Sequence, residues 1–210
     1  MIERQQIIKT AVQLAINNYS YPSRGNKYQT KSKDFISYGL GIKSKPNVNC
    51  YHAIQDFMKK PALLDCERSI LAIVLFSLAM TYKEPLFNEL VKEIRITSSL
   101  NFVNIPSQAQ NCIKLTRISS VDELQTGDWV YIQNHPDYLS HYSGGAASGE
   151  HVICTSMNPL LFYGLLDRQE RTIDEWITIL HLSAPALNKN EIPGILRDSN
   201  NNILVRRPCF

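Results

Sequence analysis

Two short stretches of this chain carry residues suited to covalent chemistry. One is "LLDCERSILAIVLFSLAM", residues 63–80, where Cys66 stands between charges and ahead of a long apolar run. The other is "GGAASGEHVICTS", where a small-residue loop delivers the pair Glu150-His151 to the start of an apolar stretch. Asp65 is a good helix cap, which would set Cys66 in the first helical turn. Unpaired backbone N–H groups and the positive end of the helix dipole favour a thiolate there. Asp65 and Glu67 oppose this, because nearby negative charge raises a thiol's pKa, and Arg68 offsets part of the effect. A cysteine so placed is equally at home as an inert core residue. A nucleophile needs a base, and Glu150 and His151 are the candidates. Side chains alternate along a strand, so the two point to opposite faces and only one of them can meet Cys66. With His151 the pair is a Cys–His dyad; with Glu150 a carboxylate takes the proton.

The elements around these residues follow from periodicity. "ERQQIIKTAVQLAINNY" has helical spacing, and the polar stretch from Ser20 to Lys33 reads as a linker or long loop. "DFISYGLGI" reads as a short strand or irregular turn, and "NCYHAIQDFMKK" as a short helix ending before Pro61. From Ile70 to Met80 nearly every residue is apolar, which requires a helix surrounded by protein. "PLFNELVKEI" reads as an amphipathic helix. "TGDWVYIQN" reads as a strand opened by the turn Thr126-Gly127-Asp128, and "HVICTSM" and "LLFYGLL" as further strands. In "TIDEWITILHLSA" Thr172 and Glu175 have capping-box spacing. A hairpin is expected around Asn200-Asn201. Helices first and antiparallel strands afterwards define an α+β fold with a buried helix on a small sheet. The expected division is an N-terminal helix and polar linker, 1–33, followed by a catalytic domain, 34–210.

Composition excludes several function classes. A net charge of +3 over 210 residues falls short of a nucleic-acid binder. The basic clusters in "SRGNKYQTKSKDF" and "LVRRP" read as solvated loop charges. Ile70–Met80 is too short to span a bilayer, and the charged start "MIERQQIIKT" is unlike a signal peptide. Five cysteines without a C-x-x-C pair predict free thiols in a reducing, cytoplasmic compartment. Delivery as a secreted effector is compatible with this. The histidines and cysteines lack zinc spacing, and the glycines lack a phosphate-loop pattern, so neither metal nor cofactor is expected.

Several motifs occur in a familiar order: "YHAIQDF", "LLDCERSILAIVLFSLAM", "TGDWVYIQNHPDY", "SGEHVI" and "LLFYGLLD". Over residues 34–167 this order resembles the spore-coat protein-glutamine γ-glutamyltransferases, the small bacterial transglutaminases. The resemblance implies a papain-like, NlpC/P60-like core. It implies Cys66 as nucleophile, Glu150 as its general base and Asp65 as an auxiliary carboxylate where the family has glutamate. His151 replaces the family's asparagine, Tyr163 falls at the family's histidine, and Leu64 replaces an aromatic residue. Trp129 and Tyr163 are candidate substrate or oxyanion contacts, with core packing as the plainer reading.

The implied reaction is acyl transfer from a glutamine side chain through a Cys66 thioester to a lysine amine or, in deamidation, to water. Its partners are proteins with accessible glutamine and lysine. A papain-like Cys–His peptidase or amidase using Cys66 and His151 is the alternative enzyme. A binding module with an inert Cys66 is the non-enzymatic one.

Overall fold

Apolar residues at almost every position fit only a helix enclosed on all sides, and Ile70–Ala79 is so placed, with exposures between 0% and 5%. The computed structural model describes residues 2–23, 28–39, 41–99, 102–104, 111–135, 137–142, 148–183 and 194–210. Helix α1 (Ile2–Asn18) leads into strands β1 (Tyr19–Ser20) and β2 (Gln29–Thr30) and the paired strands β3 (Phe35–Tyr38) and β4 (Gly41–Ser44). Next come α2 (Cys50–Met58), β5 (Ala62–Leu63), the central helix α3 (Cys66–Leu90) and β6 (Arg95–Ile96). The second half contains β7 (Ile113–Ile118), β8 (Trp129–Gln133), the short α4 (Tyr138–His141), β9 (Gly149–Met157), β10 (Leu160–Gly164) and β11 (Glu170–Arg171). It ends with α5 (Ile173–Leu182), β12 (Gly194–Ile195) and β13 (Ile203–Pro208).

The main sheet has the order β11-β10-β9-β8-β13-β7, with β12 also paired to β8, and its pairings are antiparallel. Two three-stranded sheets, β1-β5-β2 and β3-β4-β6, flank the helices. The first core lies between α1, α2, α3 and one face of the main sheet, which contributes Trp129, Ile153, Tyr163 and Leu204. The opposite face, with Val130, Val152, Cys154 and Phe162, packs with Trp176 and Leu180 of α5. Alternation along the strands separates the two sets. Each fully buried Leu, Ile, Val or Phe stabilises this arrangement by about 1.5–3 kcal/mol relative to an exposed one. The architecture is α+β, with a buried helix on an antiparallel sheet.

Residues 2–20 share the first core. Ile8, Ala11, Val12, Ala15 and Tyr19 are buried, and α1 packs on α3. α1 is thus part of the same core as α3. α3 has the length and apolarity of a membrane span, but its apolar surface is covered by α1, α2 and the sheet. The two helices expected here are present within the span of α3, separated by a kink at Lys83, which has the non-helical angles φ 64° and ψ 175°. Pro85 follows in the first turn of the second part, where its missing N–H leaves no bond unmade. The Thr172/Glu175 capping box is formed at α5. The turn at Asn200-Asn201 is closed by Asp198, which accepts from the N–H groups of Asn200 and Asn202 at 3.0 Å each. The glycine-rich loop of residues 143–147 lies outside the described residues.

Candidate active site

Asp65 has extended backbone angles, and its Oδ1 accepts the Arg68 N–H at 2.9 Å, so α3 starts at Cys66. Three groups hold the cap in place. The Arg68 guanidinium pairs with Asp65 Oδ2 and donates to Ser98 Oγ at 3.0 Å. It also lies over the Tyr28 ring, 3.8 Å from the centroid. The Tyr28 hydroxyl donates to Asp65 Oδ2 at 3.1 Å. Glu67, expected to weigh on the thiol, turns into the protein. Its Oε1 accepts from Arg206 Nη1 at 3.0 Å and from Ser99 Oγ at 2.5 Å. Arg206 is fully buried, stacks over Trp129 at 4.3 Å and donates to the Phe102 carbonyl at 2.9 Å. Arg207, on the other face of β13, pairs with Asp128 at 2.7 Å. The charges of "LVRRP" are thus ion-paired and, at Arg206, buried. Reading them as solvated failed because Glu67 and Asp128 are distant in sequence.

Glu150 and His151 occupy the start of β9, opposite Ile132 and Tyr131 of β8. Glu150 is 1% exposed, and its carboxylate is met on every side by donors. Tyr21 Oη donates to Oε2 at 3.2 Å, Leu166 N–H donates to Oε1 at 3.0 Å, and Leu165 N–H adds a further bond. The Cys66 side chain is also within hydrogen-bonding reach of this carboxylate. Gly164 makes the space: a Cβ there would lie 2.9 Å from both Glu150 Oε1 and the Trp176 ring. Burial outweighs the four hydrogen bonds and pushes Glu150 up to about 7. Cys66 is half-buried. Loss of solvent around its sulfur, and then the charges of Glu150 and Asp65, hold the thiol well above its ordinary value. The His151 main-chain N–H and the Tyr21 hydroxyl pull the other way by hydrogen-bonding the sulfur. The resting pair is a thiol held in its neutral form beside a buried carboxyl raised to about 7.

Alternation separates the side chains of Glu150 and His151, yet both residues meet Cys66, because His151 does so through its backbone. Its ring lies among aromatic residues. Nδ1 accepts the Trp129 Nε1–H at 3.0 Å, and the Tyr131 ring is 4.7 Å away, centroid to centroid. Burial, and next the Arg206 charge, hold the imidazole well below its ordinary pKa, so it is neutral. The nitrogen that could accept a proton is already occupied by Trp129. Trp129 and Tyr163 are both fully buried, so neither offers a surface to a substrate. The single indole N–H of Trp129 is spent on His151, and the Tyr163 hydroxyl lies against Ser69, one turn along α3 from Cys66.

Cys66 opens into a cavity of about 370 Å³ lined by Tyr21, Asp65, Tyr131, Gly149 and His151. A second cavity of about 300 Å³, bounded by Phe102, Gln133 and Leu196, shares Glu67, Tyr131 and His151 with it. Among the described residues no group of three His, Cys, Asp or Glu side chains could hold a metal ion.

Tyr21, Tyr28 and Arg206 had no local signal. Tyr21 and Tyr28 lie in the stretch read as linker, and the pairing of β1 and β2 with β5, which leads straight into α3, brings them to the start of that helix. A glycine closing an otherwise regular strand, "LLFYG", was the one available hint, since strand glycines mark close approaches.

An enclosed helix that starts at a thiol, with a buried carboxylate on the neighbouring strand, defines a transglutaminase-like α+β fold. The chain is similar to a solved transglutaminase from Geobacillus stearothermophilus, determined without its C-terminal extension. The TM-score is 0.71, with 18% sequence identity over 97% of this chain and 89% of that one. At that identity the likeness establishes the fold. No family model and no curated protein sequence matches the chain.

Proposed function

We propose that the chain is a cysteine-dependent acyltransferase of the protein-glutamine γ-glutamyltransferase type, with glutamine deamidation as its water-terminated variant. The observation that carries this reading is the placement of Cys66 at the start of α3 beside the buried Glu150 carboxyl, which burial raises to about 7. A carboxylate with that affinity takes the thiol proton near neutral pH. The thiolate attacks the γ-carboxamide carbon of a glutamine side chain. As the C–N bond breaks, Glu150 returns the proton to the leaving nitrogen, ammonia departs and a thioester remains. A lysine amine then attacks the thioester, again giving its proton to Glu150. Collapse forms the isopeptide bond, and the departing Cys66 sulfur recovers the proton. Tyr21 bonds the carboxylate and the sulfur in turn, and Asp65 holds the nucleophile at the helix start. Substrates are proteins with accessible glutamine and lysine, and a reducing compartment keeps Cys66 available as the thiol.

The test is incubation with a labelled primary amine and a glutamine-rich protein, read by mass spectrometry. Cys66→Ala and Glu150→Gln each abolish amine uptake, whereas His151→Asn retains it. A mass gain of about one dalton without amine uptake marks deamidation, the thioester having gone to water. Loss of activity in His151→Asn with full activity in Glu150→Gln transfers the base role to His151 and selects the papain-like hydrolase. The occupied Nδ1 of His151 speaks against that outcome.

A further inference from the structure

His151 differs from the other polar groups around Cys66 in having one ring nitrogen committed and the other without a hydrogen bond among the described residues. Nδ1 accepts the Trp129 Nε1–H at 3.0 Å. An indole N–H has no lone pair to offer in return, so Nδ1 carries no proton and, in the neutral ring, Nε2 does. Trp129 is itself immobile. It is fully buried, with Arg206 over its face at 4.3 Å and the Phe102 ring edge-on at 6.3 Å. The imidazole is held on further sides by Tyr131 at 4.7 Å and Phe102 at 5.8 Å. No described residue hydrogen-bonds Nε2, and that atom is not sealed from solvent. The ring lines both the cavity of Cys66 and its neighbour. The result is an uncharged N–H donor on a residue that lines both cavities, with its tautomer set by a second buried residue. Burial and the Arg206 charge keep the ring from taking a second proton.

We propose that His151 is a catalytic residue of this site, its Nε2–H hydrogen-bonding the substrate carbonyl oxygen as Cys66 attacks, and that Trp129 is a positioning residue holding the donor tautomer. In the step concerned the sulfur–carbon bond forms and the carbonyl π pair moves onto oxygen. His151 donates a hydrogen bond to that oxygen and gives up no proton. Glu150 remains the group through which protons pass. A donor aimed where charge develops is worth far more in a cavity walled by Tyr21, Tyr28 and Tyr131 than in water. This inference rests on the proposed thiol chemistry at Cys66 but not on glutamine as the substrate.

Two rates at Cys66 test it. Acylation by p-nitrophenyl acetate passes through an oxyanion; alkylation by iodoacetamide at its methylene does not. His151→Phe keeps the ring packing and removes the donor. Its acylation rate is expected to fall by about 100-fold or more, the usual cost of losing one oxyanion donor. Its alkylation rate stays within about twofold of wild type. His151→Asn, a neutral N–H donor, recovers acylation to within about tenfold of wild type. Nitrogen NMR of the resting protein reads the tautomer directly, with Nε2 protonated and Nδ1 bare near neutral pH; Trp129→Phe removes that preference. Wild-type acylation in His151→Phe overturns the proposal, as does parallel loss of both rates with folding intact, or a protonated Nδ1. A wild-type protein that is acylated at Cys66 yet incorporates no amine at glutamine sinks the transglutaminase reading and leaves this one standing. No Cys66-dependent acylation in the wild type sinks both.

Discussion

The raised affinity of Glu150 for a proton has a consequence for stability that can be measured apart from activity. Its carboxyl is 1% exposed and sits at about 7, against an ordinary value of 4.5. Between these values the folded chain holds a proton that the unfolded chain has released, so the folded state binds more protons. Stability therefore falls as pH rises through that window and levels off above it. The full difference corresponds to about 3 kcal/mol, a large part of the margin of a single domain. Glu150→Gln replaces the titrating group by a neutral one of the same shape. Its amide oxygen still accepts from the main chain of Leu165 and Leu166, and the Tyr21 hydroxyl can rotate to accept from its NH₂. The variant should match wild type within about 1 kcal/mol near pH 4.5 and exceed it by about 3 kcal/mol at pH 8.5. Urea unfolding at the two pH values gives both numbers, and the amine-incorporation assay on the same samples should read zero. A stability difference that does not change with pH would falsify the account of a carboxyl destabilised by burial. Loss of the limb near pH 7 in the wild-type activity profile would do the same for its role as base.

Three further outcomes follow from contacts around the pair. Asp65→Asn keeps the helix cap but removes a charge that holds the thiol up; iodoacetamide should label Cys66 several-fold faster at neutral pH, and an unchanged rate would count against the electrostatics. Arg206→Met leaves Glu67 buried without its partner and should lower stability by about 3–5 kcal/mol in urea unfolding. Adding Glu67→Met should restore most of that loss. Gly164→Ala drives a methyl group against Glu150 and Trp176; about 1–3 kcal/mol of stability should go, and amine incorporation should fall further than the drop in folded fraction explains.

What the sequence discloses and what it hides divide by distance along the chain. The enclosed part of α3, the Asp65 cap and the Thr172/Glu175 box were legible because each depends on residues within a few positions. The pairing of Cys66 with the start of β9 was legible only as two alternatives. Alternation states that Glu150 and His151 differ in direction without saying which of them brings its side chain to Cys66. The choice is made by Leu165, Leu166 and Gly164, which admit the carboxylate, and by Trp129, which captures the imidazole. Tyr21 and Arg206 could not have been found by local reading. One lies in a polar stretch, the other in a doubly basic one, and each acquires its role from partners more than one hundred residues away. The Lys83 kink was visible through Pro85 as a boundary between helices, and the chain passes it with one left-handed residue.

The bond from Arg206 to Glu67 joins β13 to the residue beside Cys66. During synthesis Cys66 leaves the ribosome long before that arginine does. Until the final strand docks, Glu67 lacks its counter-charge, Trp129 lacks the guanidinium above it, and the Phe102 carbonyl lacks its donor. The surroundings of Cys66 are thus completed only when β13 docks, although the cysteine itself is made early.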